Sequence, residues 1–403
     1  MLSNQLATPK GFRDFLPPEA IKRQIVVDKI RKVFEKFGFD PLETPTLEFT
    51  DTLKGKYGEE EKLIYEFETR GGDKLALKYD QTVPLARVIA QYPNLPKPFK
   101  RYQIQPAFRG EKPQKGRYRE FLQCDTDIIG EFNPLADAEI LALVYEIYQE
   151  LDLDTLIKIN DRSLLVNIEP KYLSAIDKLN KIGEQGVLKE LQKKGLSAQN
   201  SLKTLNKVKQ LQPTKNLDQI VVLYQQMGNP SDSIQFDPTL VRGLDYYTGL
   251  ILEVFLKDDP TGSSLCGGGR WDKMIGQFTG KDYPAVGFAI GFDRTIEAME
   301  EAGVLTKPQT NTKVLVTVFS EDLLPKSVQT LKLLRLNNIN SEIWFDPTTK
   351  LEKQLKYADQ KGIPYALILG PDEAEKNIVT LKSINTKTQQ QFTLDELTQK
   401  LSS

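Results

Sequence analysis

The chain has 403 residues, with 54 lysines and arginines against 55 aspartates and glutamates, two cysteines and no histidine. This length predicts two or three domains, and a composition of 39% hydrophobic and 27% charged residues fits an ordinary soluble globular protein with an ample core. The missing histidine excludes Ser-His-Asp and Cys-His catalysis and any protein imidazole as proton carrier, and with Cys124 and Cys266 as its only thiols the chain is not expected to hold zinc or a disulfide framework. Any catalysis falls to arginine, lysine, carboxylates, tyrosine and backbone, which favours electrostatic and positioning chemistry of the phosphoryl or nucleotidyl type. No apolar run reaches the roughly 18 residues of a membrane span. The N-terminal segment MLSNQLATPKGFRDFLPPEA lacks an apolar signal core. A cytoplasmic protein with no membrane partner is expected.

Helical spacing of Ile21, Ile25, Ile30, Val33, Phe34 and Phe37, closed by Gly38, predicts a helix over 18–38. FDPLETPTLEF (39–49) reads as extended, with Pro41 and Pro45 confining it to an edge or an interface. Residues 63–69 and 75–79 form a plausible hairpin across GGD, and Pro84 opens a short helix over 84–92. KRYQIQPAFRG and REFLQCDTDIIG read as two strands around a charged loop. A long helix is predicted over 134–153. Residues 168–234 are rich in Lys, Leu and Gln and helical throughout, as in an inserted module. Strands resume at 249–256 and 283–291, followed by a helix over 293–303 and a polar linker over 304–312. Beyond it, strand and helix patterns alternate, which predicts a small α/β domain with a mixed sheet.

Three constellations stand out. FRGEKPQKGRYREF (108–121) crowds Arg109, Lys112, Lys115, Arg117 and Arg119 around Glu111, with Phe121 at its end. A solvated charged hairpin is one reading. The other is a nucleotide held by arginine on its phosphate and by an aromatic face on its base. VRGLDYYTG (241–249) places Arg242, Asp245, Tyr246 and Tyr247 before a strand, either as a turn with core tyrosines or as the floor of a polar pocket. GFAIGFDR (287–294) puts Arg294 in the first turn of a helix, where a cation opposes the dipole; it is either paired with a nearby acid or set for an anionic ligand. CGGGRWD (266–272) permits close backbone approach to a ligand but is not a dinucleotide fingerprint, and GQFTGKD (276–282) fails as a P-loop.

Together these segments resemble the class II aminoacyl-tRNA synthetases, and within them the histidyl-tRNA synthetase family, over nearly the whole chain. GFDPLETPTLEF is similar to motif 1, FRGEKPQKGRYREF to motif 2 and GFAIGFDR to motif 3. LKYDQTVPLAR, VRGLDYYTG and GGGRWD resemble the histidine-specific segments. Trp271 stands where the family commonly has Tyr. The resemblance implies an α+β catalytic domain, an antiparallel sheet flanked by helices, in two parts (1–167 and 235–303). It further implies a helical insertion (168–234), the linker (304–312) and an anticodon-binding α/β domain with a mixed sheet (313–403).

The resemblance also implies roles. Arg109 holds the α-phosphate of ATP, with Arg117 as a further phosphate contact. Glu111 lies near the adenine, and Phe121 stacks on it. Arg294 grips the γ-phosphate. Asp80, Thr82 and Gln123 receive the α-amino group of histidine. Asp127 and Tyr247 read the imidazole, with Tyr246 beside the pocket. Arg242 bridges the histidine carboxylate and the α-phosphate. The implied reaction is ATP-driven formation of histidyl-adenylate and transfer to the 3′ end of the histidine tRNA, by a homodimer with magnesium accompanying ATP; no metal ligands are readable. The competing expectation is a non-catalytic histidine-binding paralogue, such as an ATP phosphoribosyltransferase regulatory subunit. Retention of Arg242 and of residues 313–403 argues against it.

Overall fold

Strand alternation in the sequence becomes a sheet with one greasy and one polar face. The computed structural model describes residues 6–114, 116–242, 246–305 and 308–402; Lys115 and Asp245, named above, lie outside that set, as do residues 306 and 307 of the expected linker. The chain divides into two units, Met1–Asp14 with Val26–Leu305, and Phe15–Ile25 with Thr306–Ser403.

The larger unit is built on α1 (Pro17–Lys36, whose first half belongs to the other unit), β1 (Asp40–Pro41), β2 (Phe99–Phe108), β3 (Glu120–Ile129), α2 (Pro134–Glu150), β4 (Thr155–Asp161), β5 (Ile234–Phe236), β6 (Leu250–Leu256), β7 (Cys266–Arg270), β8 (Ala285–Gly291) and α3 (Phe292–Glu301). Its eight strands run in the order β1-β2-β3-β8-β7-β6-β4-β5. All pairings are antiparallel except the two at the edges, β1 with β2 and β4 with β5. Pro41 sits on the edge strand β1, where the missing N–H breaks no central ladder.

Because strand side chains alternate, Cys124 and Ile128, Leu250, Leu252 and Val254, and Val286, Phe288 and Ile290 all point to one side. There they join α1, α2, α3 and the helix Lys215–Gln226 in the main apolar core. Gln123, Asp125 and Asp127 alternate with them and point to the other side. That side is roofed by a second, smaller core around Tyr57, Tyr79, Leu85, Trp271 and Ile275, which includes the helix Thr82–Gln91. The expected hairpin is present as Glu66–Glu68 paired with Lys74–Leu77, the latter also pairing with Leu47–Phe49.

The region 168–234 holds two kinds of helix. Pro170–Ile176, Leu179–Lys193 and Ala198–Lys209 pack in a cluster of their own, which also takes in Val241. Lys215–Gln226 instead buries Leu217, Ile220 and Tyr224 in the main core. In the smaller unit, a five-stranded mixed sheet pairs Val314–Val316 in parallel with Ser341–Ile343 and Tyr365–Ile368. Val379–Ser383 and Gln389–Phe392 then add antiparallel strands.

Candidate active site

Register across the polar face brings distant segments into rows. Asp127 lies opposite Arg101 on β2 and Gly287 on β8; Asp125 lies opposite Gln103 and Ala289; Gln123 lies opposite Gln105 and Gly291. Farther along the same rows come Gly269 and Gly267 of β7, and then Ile251 and Glu253 of β6. The run of small residues lowers the floor. A Cβ on Gly267 would stand 1.5 Å from Nη1 of Arg242, and one on Gly287 would stand 2.1 Å from Oδ1 of Asp127. These glycines are therefore where the Arg242 and Asp127 side chains lie flat on the sheet.

A small pocket of about 60 Å³ opens on this floor, lined among others by Asp80, Thr82, Asp125, Asp127, Tyr246, Tyr247 and Trp271. Its side chains are held in advance. Oδ1 of Asp80 accepts from the Tyr57 hydroxyl at 2.9 Å and from the backbone N–H groups of Thr82 and Val83, each at 3.1 Å. Those two bonds satisfy N–H groups of the first helical turn, so the helix begins at Thr82, two residues before the position expected from Pro84. Asp127 pairs through Oδ2 with the fully buried Arg101 at 2.5 Å and accepts through Oδ1 from Trp271 Nε1 at 3.0 Å. Burial raises the Asp127 carboxyl to about 7, against the opposing pull of Arg101 and Trp271. Burial likewise raises Asp80 and pushes Asp125 well above the usual carboxylate range.

Beside the pocket lies a larger cleft of about 320 Å³, lined by Arg109, Glu111, Arg117, Phe121, Glu253, Arg294 and others. Arg109 donates from Nε to the Tyr79 carbonyl at 3.2 Å, and its guanidinium carbon lies 4.4 Å from the Tyr79 ring centre and 5.1 Å from that of Phe121. Arg117 meets Glu111 at 3.4 Å. Arg294 donates to the Ser264 carbonyl at 2.9 Å; burial first, and then the Arg117 charge, hold its guanidinium below the ordinary value. A cation so placed favours an anion beside it. Arg119 has a different task from its neighbours: it donates to the carbonyls of Glu111 and Lys10, fastening the loop to the N-terminal segment. There Arg13 pairs with Asp293 at 2.8 Å and lies over the Tyr118 ring.

Cleft and pocket share Arg109, Gln123, Arg242, Gly267 and Ala289. Arg242 bonds Glu253 at 3.0 Å and reaches the Tyr247 hydroxyl at 3.5 Å. Its backbone φ of +64° is in the left-handed region, which costs a non-glycine residue of order 1 kcal/mol and persists only where surroundings enforce it. Val241, one residue before, is buried in the small helical cluster. Among the described residues no group of three or more Cys, Asp or Glu is arranged to hold a metal ion.

A sequence model described as Histidyl-tRNA synthetase matches residues 11–195 and 162–295, and one described as Anticodon binding domain matches 313–403. The chain belongs to the histidyl-tRNA synthetase family. The histidine–tRNA ligase of Cytophaga hutchinsonii is 38% identical over 98% of each chain. That of Aeropyrum pernix is 40% identical over 93% of each. The crystal structure of histidyl-tRNA synthetase from Nostoc sp. PCC 7120 superposes with a TM-score of 0.86 at 32% identity, covering 98% of each chain. The α+β catalytic fold with its C-terminal α/β unit is therefore that of the class II synthetases.

Every family-implied residue lines one of the two cavities. Arg109, Glu111, Arg117, Phe121 and Arg294 line the cleft, Asp80, Thr82, Asp127, Tyr246 and Tyr247 line the pocket, and Gln123 and Arg242 line both with Arg109. Sequence reasoning missed Asp125, Arg101, Glu253 and Tyr57, and it noted Trp271 only as a departure. The alternation Gln123, Asp125, Asp127 was a usable signal for the first of these. Arg101 and Glu253 needed the register.

Proposed function

We propose that the residues of the two cavities divide one reaction: ATP activates histidine as histidyl-adenylate, and the histidyl group then passes to the 3′ end of its tRNA. The observation that carries this reading is the sharing of Arg109, Gln123 and Arg242 between a large arginine-lined cleft and a small polar pocket. Triphosphate lies in the cleft against Arg117 and Arg294, with Phe121 for the base and Glu111 near it. Histidine lies in the pocket, its ring toward Asp127 and Tyr247 and its ammonium toward Asp80, Thr82 and Gln123. Its carboxylate then points to the junction, between Arg109 and Arg242.

There a carboxylate oxygen attacks the α-phosphorus. One P–O bond forms, the bond to the β-phosphate breaks, and pyrophosphate leaves with the electron pair. Charge builds on phosphate oxygens, and the two guanidiniums stabilise it without a proton carrier. This accounts for a catalyst with no histidine of its own. In the second step a terminal hydroxyl of tRNA attacks the histidyl carbonyl, the bond to the phosphate oxygen breaks, and AMP departs with the electron pair, its phosphate taking the hydroxyl proton.

Magnesium binds with few protein ligands when phosphates supply the rest. Glu253, which lines the cleft, is the carboxylate that would meet a nucleotide-borne ion, and that ion would supply charge neutralisation at the phosphates. Residues 1–167 and 235–303 form the catalytic domain, joined from the expected insertion (168–234) by the helix Lys215–Gln226; 304–312 is the linker and 313–403 the anticodon-binding domain. The working form is a cytoplasmic homodimer. Among the described residues no helix is long and apolar enough to cross a membrane.

The test is ATP–pyrophosphate exchange by the full-length protein across the twenty amino acids, followed by tRNA charging. Exchange with histidine alone is expected. Histidine binding without exchange would move the chain to the regulatory paralogue class.

A further inference from the structure

Three carboxylates face the small pocket, and they differ in what they already hold. Asp80 accepts three hydrogen bonds through one oxygen. Asp127 is held by Arg101 and Trp271. Asp125 is 2% exposed and lines the pocket between them, and among the described residues its Oδ1 has no hydrogen-bond partner. Two residues earlier on the same face, Oε1 of Gln123 is also buried without a donor.

A buried acceptor left without a donor carries the full cost of its desolvation. Two such acceptors, on side chains about 7 Å apart along one strand and facing one cavity, suit a donor group with several protons. Charge points the same way. Arg101 is matched by Asp127 at 2.5 Å, and Arg242 by Glu253 at 3.0 Å. Asp125 has no ion pair of its own among the described residues, and its row on the sheet is continued by the small Ala289 and then by Gly267, over which the Arg242 guanidinium lies. An amino-acid zwitterion brings one cation with three N–H donors.

We propose that Asp125 is a direct ligand of the ammonium group of bound histidine, accepting one N–H at Oδ1 beside Gln123. This extends the histidine-activating reading above and rests on it. Asp125 then joins Asp80 in facing the α-amino group, while Asp127, fixed by Arg101 and Trp271, is reserved for the ring. The pocket discriminates at both ends of its substrate with separate carboxylates.

Asp125→Asn keeps the shape and an acceptor but removes the charge. In the full-length enzyme, histidine-dependent exchange gives the KM for histidine. Inhibition by histidinol, which has the ammonium but no carboxylate, and by 3-(imidazol-4-yl)propanoate, which has no ammonium, gives two further constants. The variant is expected to weaken histidine and histidinol about 10- to 100-fold, the range for a lost charged hydrogen bond, and to leave the propanoate constant and the KM for ATP unchanged. Equal weakening of all three compounds overturns the proposal in favour of a ring contact or a packing role, and an unchanged KM for histidine overturns it too. A crystal structure of the wild-type complex with histidine decides the point even if the variant fails to fold: Oδ1 of Asp125 is expected within about 3.2 Å of the ammonium nitrogen. Finding it instead on an imidazole nitrogen overturns the proposal. Failure of the histidine reading itself is distinguishable, because the wild type would then show no histidine-dependent exchange before any variant is made.

Discussion

The small pocket and the larger cleft share one sheet face but follow opposite plans. In the pocket, most acceptors arrive already bonded: Asp80 to a tyrosine and two backbone N–H groups, Asp127 to a guanidinium and an indole. In the cleft, two of the three arginines are steadied by neutral or π groups, while Arg117 meets Glu111 at 3.4 Å. Arg109 rests on a carbonyl and two rings, and Arg294 on a carbonyl. The first plan fixes geometry, which selectivity for a small polar ligand needs, because a pocket of prearranged polar groups penalises the wrong ligand. The second leaves positive charge available, which a triphosphate and a phosphoryl transition state need. Arg242 stands at the boundary and partakes of both plans, with a carboxylate partner and a strained backbone.

The most severe way to break this division is to evict Arg242 without touching it. Gly267→Ala puts a methyl where Nη1 now lies, and the flexible guanidinium can swing away while the strand persists. The expected result is a folded protein whose exchange kcat falls on the order of 10²- to 10³-fold, the cost of losing one transition-state donor. A folded variant with near-normal exchange would show that Arg242 does not need that place. Next comes Asp127→Asn, expected to raise the KM for histidine about 10- to 100-fold as a charged acceptor is lost, with the KM for ATP unmoved. Phe121→Ala should show the mirror image: about tenfold in the KM for ATP, the scale of one base stack, with histidine unaffected. If either variant moves both constants together, the two cavities are not separable.

The last expected effect is on stability rather than on rate or affinity. The folded Asp127 carboxyl is raised to about 7 from an ordinary value of 3.8. Its contribution is therefore fully present below about pH 4 and is lost as pH rises through 7, because the folded state binds the proton more tightly. Asp127→Asn should flatten the fall in unfolding free energy over that window, read by denaturant titration at several pH values. The protein has no histidine to titrate in this range, but burial also raises Asp80, Asp125, Asp137 and Glu253, so the Asp127 contribution is read as the difference between variant and wild type. An unchanged slope would mean that Asp127 is already ionised in the fold at acid pH.

Much of the architecture was legible where periodicity was clean. The long helix at Pro134, the two strands flanking the charged loop and the alternating C-terminal unit follow from spacing and from proline at helix starts. Two interior strands were not legible. Thr155–Asp161 passed unnoticed, and Cys266–Arg270 carries three consecutive glycines, a poor strand former on propensity alone. It is a strand because β6 and β8 supply ladders on both sides and because the side chains above it need the room. The site divides in the same way. Arg109, Arg242 and Arg294 could be singled out as unusual cations in short motifs. Arg101 and Glu253 look like ordinary strand charges until register sets one beside Asp127 and the other beneath Arg242.

The central claim is that Arg242 joins two separable binding sites at the reacting atoms. Calorimetry of Arg242→Ala with histidine and with ATP, each alone, set beside its rate of histidine-dependent exchange, tests this directly. The account predicts that each ligand still binds, weakened about 10- to 100-fold for histidine by the loss of a charged carboxylate contact, while the exchange kcat at saturating histidine falls on the order of a further 10²- to 10³-fold. Exchange that falls only as far as histidine affinity does would contradict it, reducing Arg242 to a pocket wall.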